Sequence, residues 1–325
     1  MNRSKKSSIA LAIVFICIGL TLILSSLILS SFDLSLVSSL QFTEVEHKVT
    51  LPFDSIHVEE IDCSVVLLPS EDGTCTVVSS EVPHLFNVVS VDDGTLTVRR
   101  RDERAWHERI LVFGDADPTL TIYLPVKEYD ALYLRTTAGD LRAQAPFSFC
   151  NATLKSVSGS ILLSTAVKES ISLSTTSGDI SLEGQALTSV HATSTSGSIT
   201  LRRVTAEELK LSSDSGKLRI EDNVSLGTLD AQTTSADVLL SGVTVKEALR
   251  VIGVSGNVAL FDTEFADAYV ETASGNVTGT LRSKKAFDVQ TASGIVLHPE
   301  CNEGGSLCIR TVSGNVSFSF LFDQE

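Results

Sequence analysis

Basic residues are scarce in this chain: 25 Lys and Arg stand against 40 Asp and Glu, a formal net charge of −15. Nucleic-acid recognition rests on a basic face. A nucleic-acid partner is therefore excluded on charge, and so is adhesion to anionic lipid by charge alone. Aromatic residues are only 6% of the 325, with a single tryptophan, Trp106. The core must then be built from Leu, Val, Ile and Ala. None of the six cysteines belongs to a C-x-x-C pair, which removes the usual zinc and dithiol motifs. No phosphate loop, dinucleotide fingerprint or nucleophile elbow occurs. No cofactor is expected.

What the chain has in abundance is one short phrase, seen as Thr137-Ala138-Gly139-Asp140-Leu141, Val157-Ser158-Gly159-Ser160-Ile161 and Thr176-Ser177-Gly178-Asp179-Ile180. It recurs around Gly197, Gly216, Gly256, Gly275, Gly294 and Gly314, and once with Ala236 in the glycine's place. The steps are 20, 19, 19, 19, 20, 20, 19, 19 and 20 residues. So tight a period is the mark of a repeat architecture.

Aliphatic residues stand seven and five before each glycine (Ile171 and Leu173 before Gly178) and two and four after it (Ile180 and Leu182). A spacing of two within each flank reads as a half-buried strand. The parity is odd before the glycine and even after it. One residue of slip sends every side chain to the other face, so the chain must turn a corner there. Glycine tolerates the unusual backbone angles of such a corner, and Ala236 predicts a strained or different one. A period of 19–20 residues is too short for two strands and a crossover helix, which need ~30. The fold class is therefore all-β: a parallel β-solenoid of about ten coils, whose strands stack ~4.8 Å apart. The repeat turns Gly139, Gly159, Gly178, Gly197, Gly216, Gly256, Gly275, Gly294 and Gly314 are its structural positions.

Two polar columns accompany the repeat. Hydroxyls lie three before the glycine (Thr136, Ser156, Thr175, Ser194, Ser213, Thr233), with Gly253 the exception, and again one before it (Ser158, Ser177, Ser196). A catalytic serine needs a base and an orienter and occurs once. A ladder of nine hydroxyls reads instead as corner hydrogen bonding. Asp140, Asp179, Asp237, Asn257, Asn276 and Asn315 follow the glycine directly. They allow a calcium-binding edge or a capping ladder, but the nonapeptide calcium repeat is absent, and no metal site is assigned.

Residues 9–29 form an uncharged apolar run of 21 residues, preceded by Arg3, Lys5 and Lys6. About 20 apolar residues span a bilayer, and the positive-inside rule places the N-terminus in the cytoplasm. The organisation expected is a cytoplasmic tail at 1–8, a transmembrane signal anchor at 9–31 and a stalk at 32–50. A cap of irregular β coils follows at 51–130, and the regular repeats at 131–325. A cleaved signal peptide is the alternative, but its apolar core would be shorter and a small-residue cleavage site would follow.

Within 51–130 the strand pattern persists. Ile56, Val58, Val65 and Leu67 fit the repeat frame if Cys63 stands at the glycine position. Pro69–Gly73 is a turn and Val91–Val98 a hairpin with an Asp-Gly signal. The segment 99–109, RRRDERAWHER, reads either as a recognition loop or as a charged hairpin excursion with Trp106 packed on the cap. Disulfides Cys63–Cys75 and Cys301–Cys308 are open possibilities, and connectivity is not readable from spacing.

The repeated phrase, with Pro69-Ser70-Glu71-Asp72-Gly73-Thr74-Cys75, Asp93-Gly94-Thr95-Leu96 and Ile122-Tyr123-Leu124-Pro125, resembles the bacterial family of putative adhesins of unknown function, the Toastrack domain, over about residues 50–320. The resemblance implies a β-solenoid exposed at the bacterial cell envelope, often tied to envelope stress, and no catalytic residues. The expected protein is a single-pass protein of the cytoplasmic membrane with its C-terminal domain outside. It works as a binding or scaffold module for an envelope protein or cell-surface ligand. A polysaccharide lyase or hydrolase on a parallel β-helix, or a structural spacer, are the alternatives. The outward residues Arg135, Lys155, His191, Lys210, Arg250, Glu271 and Arg310 make no compact acidic cluster of the kind such an enzyme needs.

Overall fold

The computed structural model describes residues 15–16, 18–21, 25, 42–105, 118–144 and 146–321. Residues 15–16, 18–21 and 25 are helical, and no helix of the described residues is long and apolar enough to cross a membrane. The rest of the expected anchor, Cys17 included, and most of the stalk lie outside the described residues, as do Trp106, His107 and Glu108.

Among the described residues, twenty-two strands form one continuous sheet wound into a parallel β-solenoid of about nine turns. The N-terminal strands are β1 (Thr43–Val49), β2 (Ser55–Glu59), β3 (Ser64–Pro69), β4 (Cys75–Glu81), β5 (Leu85–Asp92), β6 (Thr95–Asp102) and β7 (Thr119–Leu124). The first laps of the stack are β8 (Glu128–Arg135), β9 (Leu141–Ala143), β10 (Ser148–Lys155), β11 (Ile161–Leu163) and β12 (Ala166–Thr175). Long bent strands follow: β13 (Ile180–Ser194), β14 (Ile199–Ser213), β15 (Leu218–Thr233), β16 (Val238–Ser255) and β17 (Val258–Ser274). The C-terminal end holds β18 (Val277–Leu281), β19 (Lys285–Ser293), β20 (Val296–Leu297), β21 (Gly305–Ser313) and β22 (Val316–Phe320).

The aliphatic columns stack in register as the spacing requires. Ile171 pairs with Val190, Val190 with Leu209 and Leu209 with Leu229; on the other flank Ile180 pairs with Ile199 and Ile199 with Leu218. These residues are buried in a single core. Cys63 does occupy the glycine position of a lap: β2 pairs with β8 and β3 with β9, in parallel.

The corner glycines need a different explanation from the expected one. Of the nine, only Gly139 is left-handed, with φ 132°. The others are glycine because the laps touch there. A Cβ on Gly178 would lie 2.0 Å from the carbonyl oxygen of Gly159, and one on Gly197 1.8 Å from that of Gly178. The left-handed corner lies about six residues later, at Gly184, Arg203, Asp222, Asn223, Gly242 and Asp262. It opens a third side of each lap, which adds inward columns at Gln185, Val204, Val224, Val243 and Thr263, and at Leu187, Ala206, Leu226, Val245 and Phe265.

The laps do not all follow chain order, which corrects the expected simple succession of ten. At the C-terminal end β21 pairs with β17 on one side and β19 on the other, and β22 lies between β18 and β20. The last lap in sequence is thus inserted beneath the one before it, and the Gly294 phrase forms a partial outermost lap whose second strand is β20. At the other end β6, later in sequence, lies outside β2, and the antiparallel β5 closes over it. Strand β4 pairs antiparallel with β7, and β1 antiparallel with β4.

The hydroxyl column behaves as a corner device. Ser213 Oγ accepts from the Gly216 N–H at 2.9 Å, and Thr233 Oγ1 from the Ala236 N–H at 2.9 Å. At Gly253 this acceptor is missing, and the Gly256 N–H turns to the Ser274 carbonyl at 3.3 Å. A Cβ at Gly253 would meet Thr233 Cγ2 at 3.5 Å and nothing closer, and its φ is not left-handed. Gly253→Ser is therefore expected to stabilise the fold by ~0.5–1 kcal/mol through the lower entropy of the unfolded chain, measured as a higher midpoint in urea.

Candidate binding surfaces

The repeat-turn glycines lie within the stacked corners and offer no side chain to a ligand. The residues after them form the ladder that competed with calcium binding. Asp237 Oδ1 accepts from the Asn257 N–H at 3.0 Å, Asn257 Oδ1 from Asn276 at 3.0 Å, Asn276 Oδ1 from Asn315 at 2.9 Å and Asn315 Oδ1 from Ile295 at 2.9 Å. Each Asx oxygen is thus spent on the next lap's backbone, and the order of its rungs repeats the inserted lap. No group of three or more His, Cys, Asp or Glu side chains capable of holding a metal occurs among the described residues. Of the hydroxyls one before the glycine, Ser158 Oγ donates to the Thr137 carbonyl at 3.1 Å and Ser255 Oγ to the Thr234 carbonyl at 3.5 Å. No disulfide joins the described cysteines. Burial pushes the Cys75 thiol up to about 12, so it is inert at neutral pH.

The outward charges neutralise one another along the stack. Arg250 reaches Asp230 at 3.5 Å, Lys210 pairs with Glu208, and Arg310 pairs with Asp288 at 2.6 Å. The left-handed corner carries its own row: Arg203 with Glu183, Arg202 with Glu221 and Arg282 with Asp262 at 2.7 Å. The Arg282 guanidinium holds the Asp262 carboxyl below its usual range. Exposed pairs of this kind contribute little stability each. They neutralise these sites locally and leave the excess of carboxylates, a net charge of −15, without cationic partners.

Several depressions interrupt these faces among the described residues, and two of them carry mixed walls. One, of about 530 Å³, runs across the last four laps where the chain stays in strand almost to the glycine. Ile252, Val254 and Val312 give it apolar walls, and Glu271, Gln290 and Arg310 give it polar ones. Tyr269 donates to Glu271 at 2.8 Å and fixes that carboxylate. The other, of about 540 Å³, lies at the N-terminal end between the β1–β2 connection and the Asp72–Gly73 turn. Lys127 Nζ sits 4.8 Å from the Tyr129 ring centre and 5.6 Å from that of Phe53, and donates to Asp54. Asp72 accepts from the Thr74 N–H and hydroxyl and from Ser70, which lowers its pKa to about 2.

One buried group breaks the hydroxyl column. Glu60 takes the hydroxyl's place three before Cys63 and is 5% exposed. Its Oε1 accepts from Asn87 Nδ2 at 2.8 Å, while Glu60 Oε2, Asn87 Oδ1 and Arg100 Nε have no partner. Counting back from Cys63 in the repeat frame would have found it.

The stacked laps, spent corner groups and shallow grooved faces define a parallel β-solenoid. The family model "Toastrack DUF4097" matches residues 53–241 and 203–324, and the chain belongs to that family. Among solved structures it is similar to a putative adhesin from Parabacteroides distasonis ATCC 8503, at 14% identity over 86% of this chain and 97% of that one, TM-score 0.49. It is also similar to a putative lipid binding protein from the same organism, at 12% identity over 85% and 97%, TM-score 0.49. A putative adhesin from Bacteroides fragilis NCTC 9343 matches at 12% identity over 86% and 98%, TM-score 0.43. No curated protein matches the chain.

Proposed function

We propose that the chain is a binding and scaffold module held at the outer side of a bacterial cytoplasmic membrane by its N-terminal apolar run. The run of residues 9–29 with Arg3, Lys5 and Lys6 before it supports the anchor and its orientation. The observation that carries the binding reading is the shape and chemistry of the faces. Several of their charges are paired laterally, and a shallow groove with mixed apolar and polar walls crosses the last laps. Such a surface suits an extended, uncharged or weakly charged surface polymer or protein segment better than a small charged metabolite.

The enzyme alternative is separated by one experiment. The full chain is incubated with cell-wall polysaccharide, and both retention and new reducing or unsaturated ends are measured. Retention without new ends is the expected result, and product formation overturns the reading.

A further inference from the structure

The two ends of the stack are finished differently. At the N-terminal end β5 closes over β6, β1 and β4 fold alongside, and Val49, Val89 and Val91 pack onto the core. At the C-terminal end β19 pairs only with β21, and β20 only with β22, among the described residues. The outer edge of β19 therefore presents unpaired backbone groups from Lys285 to Ser293. Soluble proteins blunt such edges with charge, proline or a covering segment. This strand contains no proline, and its two charges are engaged sideways within the chain. The buried Lys285 ammonium is 2.9 Å from Glu264, and Asp288 is 2.6 Å from Arg310.

Beside the edge the apolar side chains stand open: Ile295 is 64% exposed, Leu297 61% and Val312 60%. Phe287 and Val289 reach the core only half-buried, with the His298 ring stacked on Phe287 at 4.6 Å. The other charges nearby are Lys284 and Glu303, paired at 3.4 Å, and Glu300.

We propose that this end docks onto the same end of a second copy, with β19 lying antiparallel to its two-fold mate. A two-fold contact needs a self-complementary surface, and the edge supplies one. Centred on Val289, the antiparallel register opposes Lys285 to Ser293, Ala286 to Ala292, Phe287 to Thr291 and Asp288 to Gln290, with Val289 facing itself. Core-facing residues meet core-facing residues and no like charges are opposed, as a stable cross-strand register demands. The net charge of −15 makes copies repel over most of their surface. The nearly neutral, apolar end is where two copies approach at least cost. With the chain anchored at its N-terminus, as in the reading above on which this orientation rests, the pairing end is distal. The contact would then join chains on opposing surfaces.

The test uses the full chain in detergent micelles, followed by sedimentation over a concentration series. A reversible dimer is expected. The double variant Ala292→Lys/Leu297→Lys changes two exposed residues and sets an added ammonium against the mate's Ala286, in the otherwise apolar seam. It is expected to weaken pairing by roughly tenfold or more with the melting midpoint unchanged. Val88→Lys, at the opposite end, leaves pairing intact. A monomer at every concentration overturns the proposal without touching the surface-binding reading. So does a dimer broken by Val88→Lys and indifferent to the double variant. The chain reconstituted in phosphatidylcholine vesicles is then expected to bridge them. Dimers that form in micelles while vesicles stay separate support the pairing and overturn the anchored orientation.

Discussion

Gly178→Ala is expected to lower the urea midpoint of the solenoid sharply and to split its unfolding into two steps. The added methyl has nowhere to go: its ideal position is 2.0 Å from the Gly159 carbonyl oxygen and 2.3 Å from the carbonyl carbon. Both are backbone atoms of the lap beneath, so no side-chain rotation relieves the contact. The laps must separate locally, and overpacking of this kind costs about 3 kcal/mol. Because each lap touches only its neighbours, the damage falls on one interface and uncouples the blocks on either side. The comparison substitution is Ala236→Gly. Ala236 already carries the methyl at a corner, in a stretch where the register shifts on both sides, between Glu221 and Val224 and again between Val245 and Ala248. Its replacement is expected to change stability by less than about 1 kcal/mol. Equal losses in the two variants would show that the glycines are not there for lap contact.

Much of this was open to a reader of the sequence, and the remainder was hidden for identifiable reasons. The glycine phrase and its flanking aliphatics report the first corner, because every lap uses the same residue type at the point of closest contact. The left-handed corner has no common residue. Gly184, Arg203, Asp222, Gly242 and Asp262 meet one backbone requirement by different means, since Asp and Asn reach positive φ by local hydrogen bonding and Gly by lacking a Cβ. Arg203 has neither excuse and is held there by its lap and its pairing with Glu183. Without that corner the third side is not separable from the next strand, and nothing in the glycine-centred pattern marks Gln185 and Thr263 as buried. Gln185 is in fact fully employed: it accepts from the Val167 N–H and donates to the Thr165 and Glu183 carbonyls.

Stacking order was the least legible feature. Leu307 and Phe287 carry the same inward pattern, so either lap fits against Ala268, and periodicity alone assigns the nearer one in sequence. What decides is the return segment 298–304, which lets Gly305 pack directly on the Ala266 carbonyl. Both ends of the rod thus exchange lap order. Its regular middle follows the chain.

Glu60→Gln is expected to raise stability at pH 8 and to remove a pH dependence that the native protein shows near neutrality. Burial pushes the Glu60 carboxyl up to about 7; Arg100 and the Asn87 hydrogen bond oppose the shift, and Asp62 adds to it. The geometry explains why the neutral acid is preferred. Oε2 is a buried acceptor without a donor, and a proton there removes the charge that burial penalises. A carboxyl whose folded pKa lies above its unfolded value binds more protons when folded, so stability falls as pH rises between the two. The window therefore runs from about 4.5 to about 7, and the change across it is on the order of 3 kcal/mol. Carboxyls held low by their partners, such as Asp262 beside Arg282, act at more acidic pH and with the opposite sign. An amide at position 60 is neutral throughout and carries its own N–H donors. Subtracting the melting midpoints of the native chain from those of Glu60→Gln between pH 5 and 8 isolates the effect of this carboxyl. The difference should grow with pH and level off above 7. A flat difference would mean that Glu60 is ionised in the fold throughout, with Arg100 rather than burial governing it.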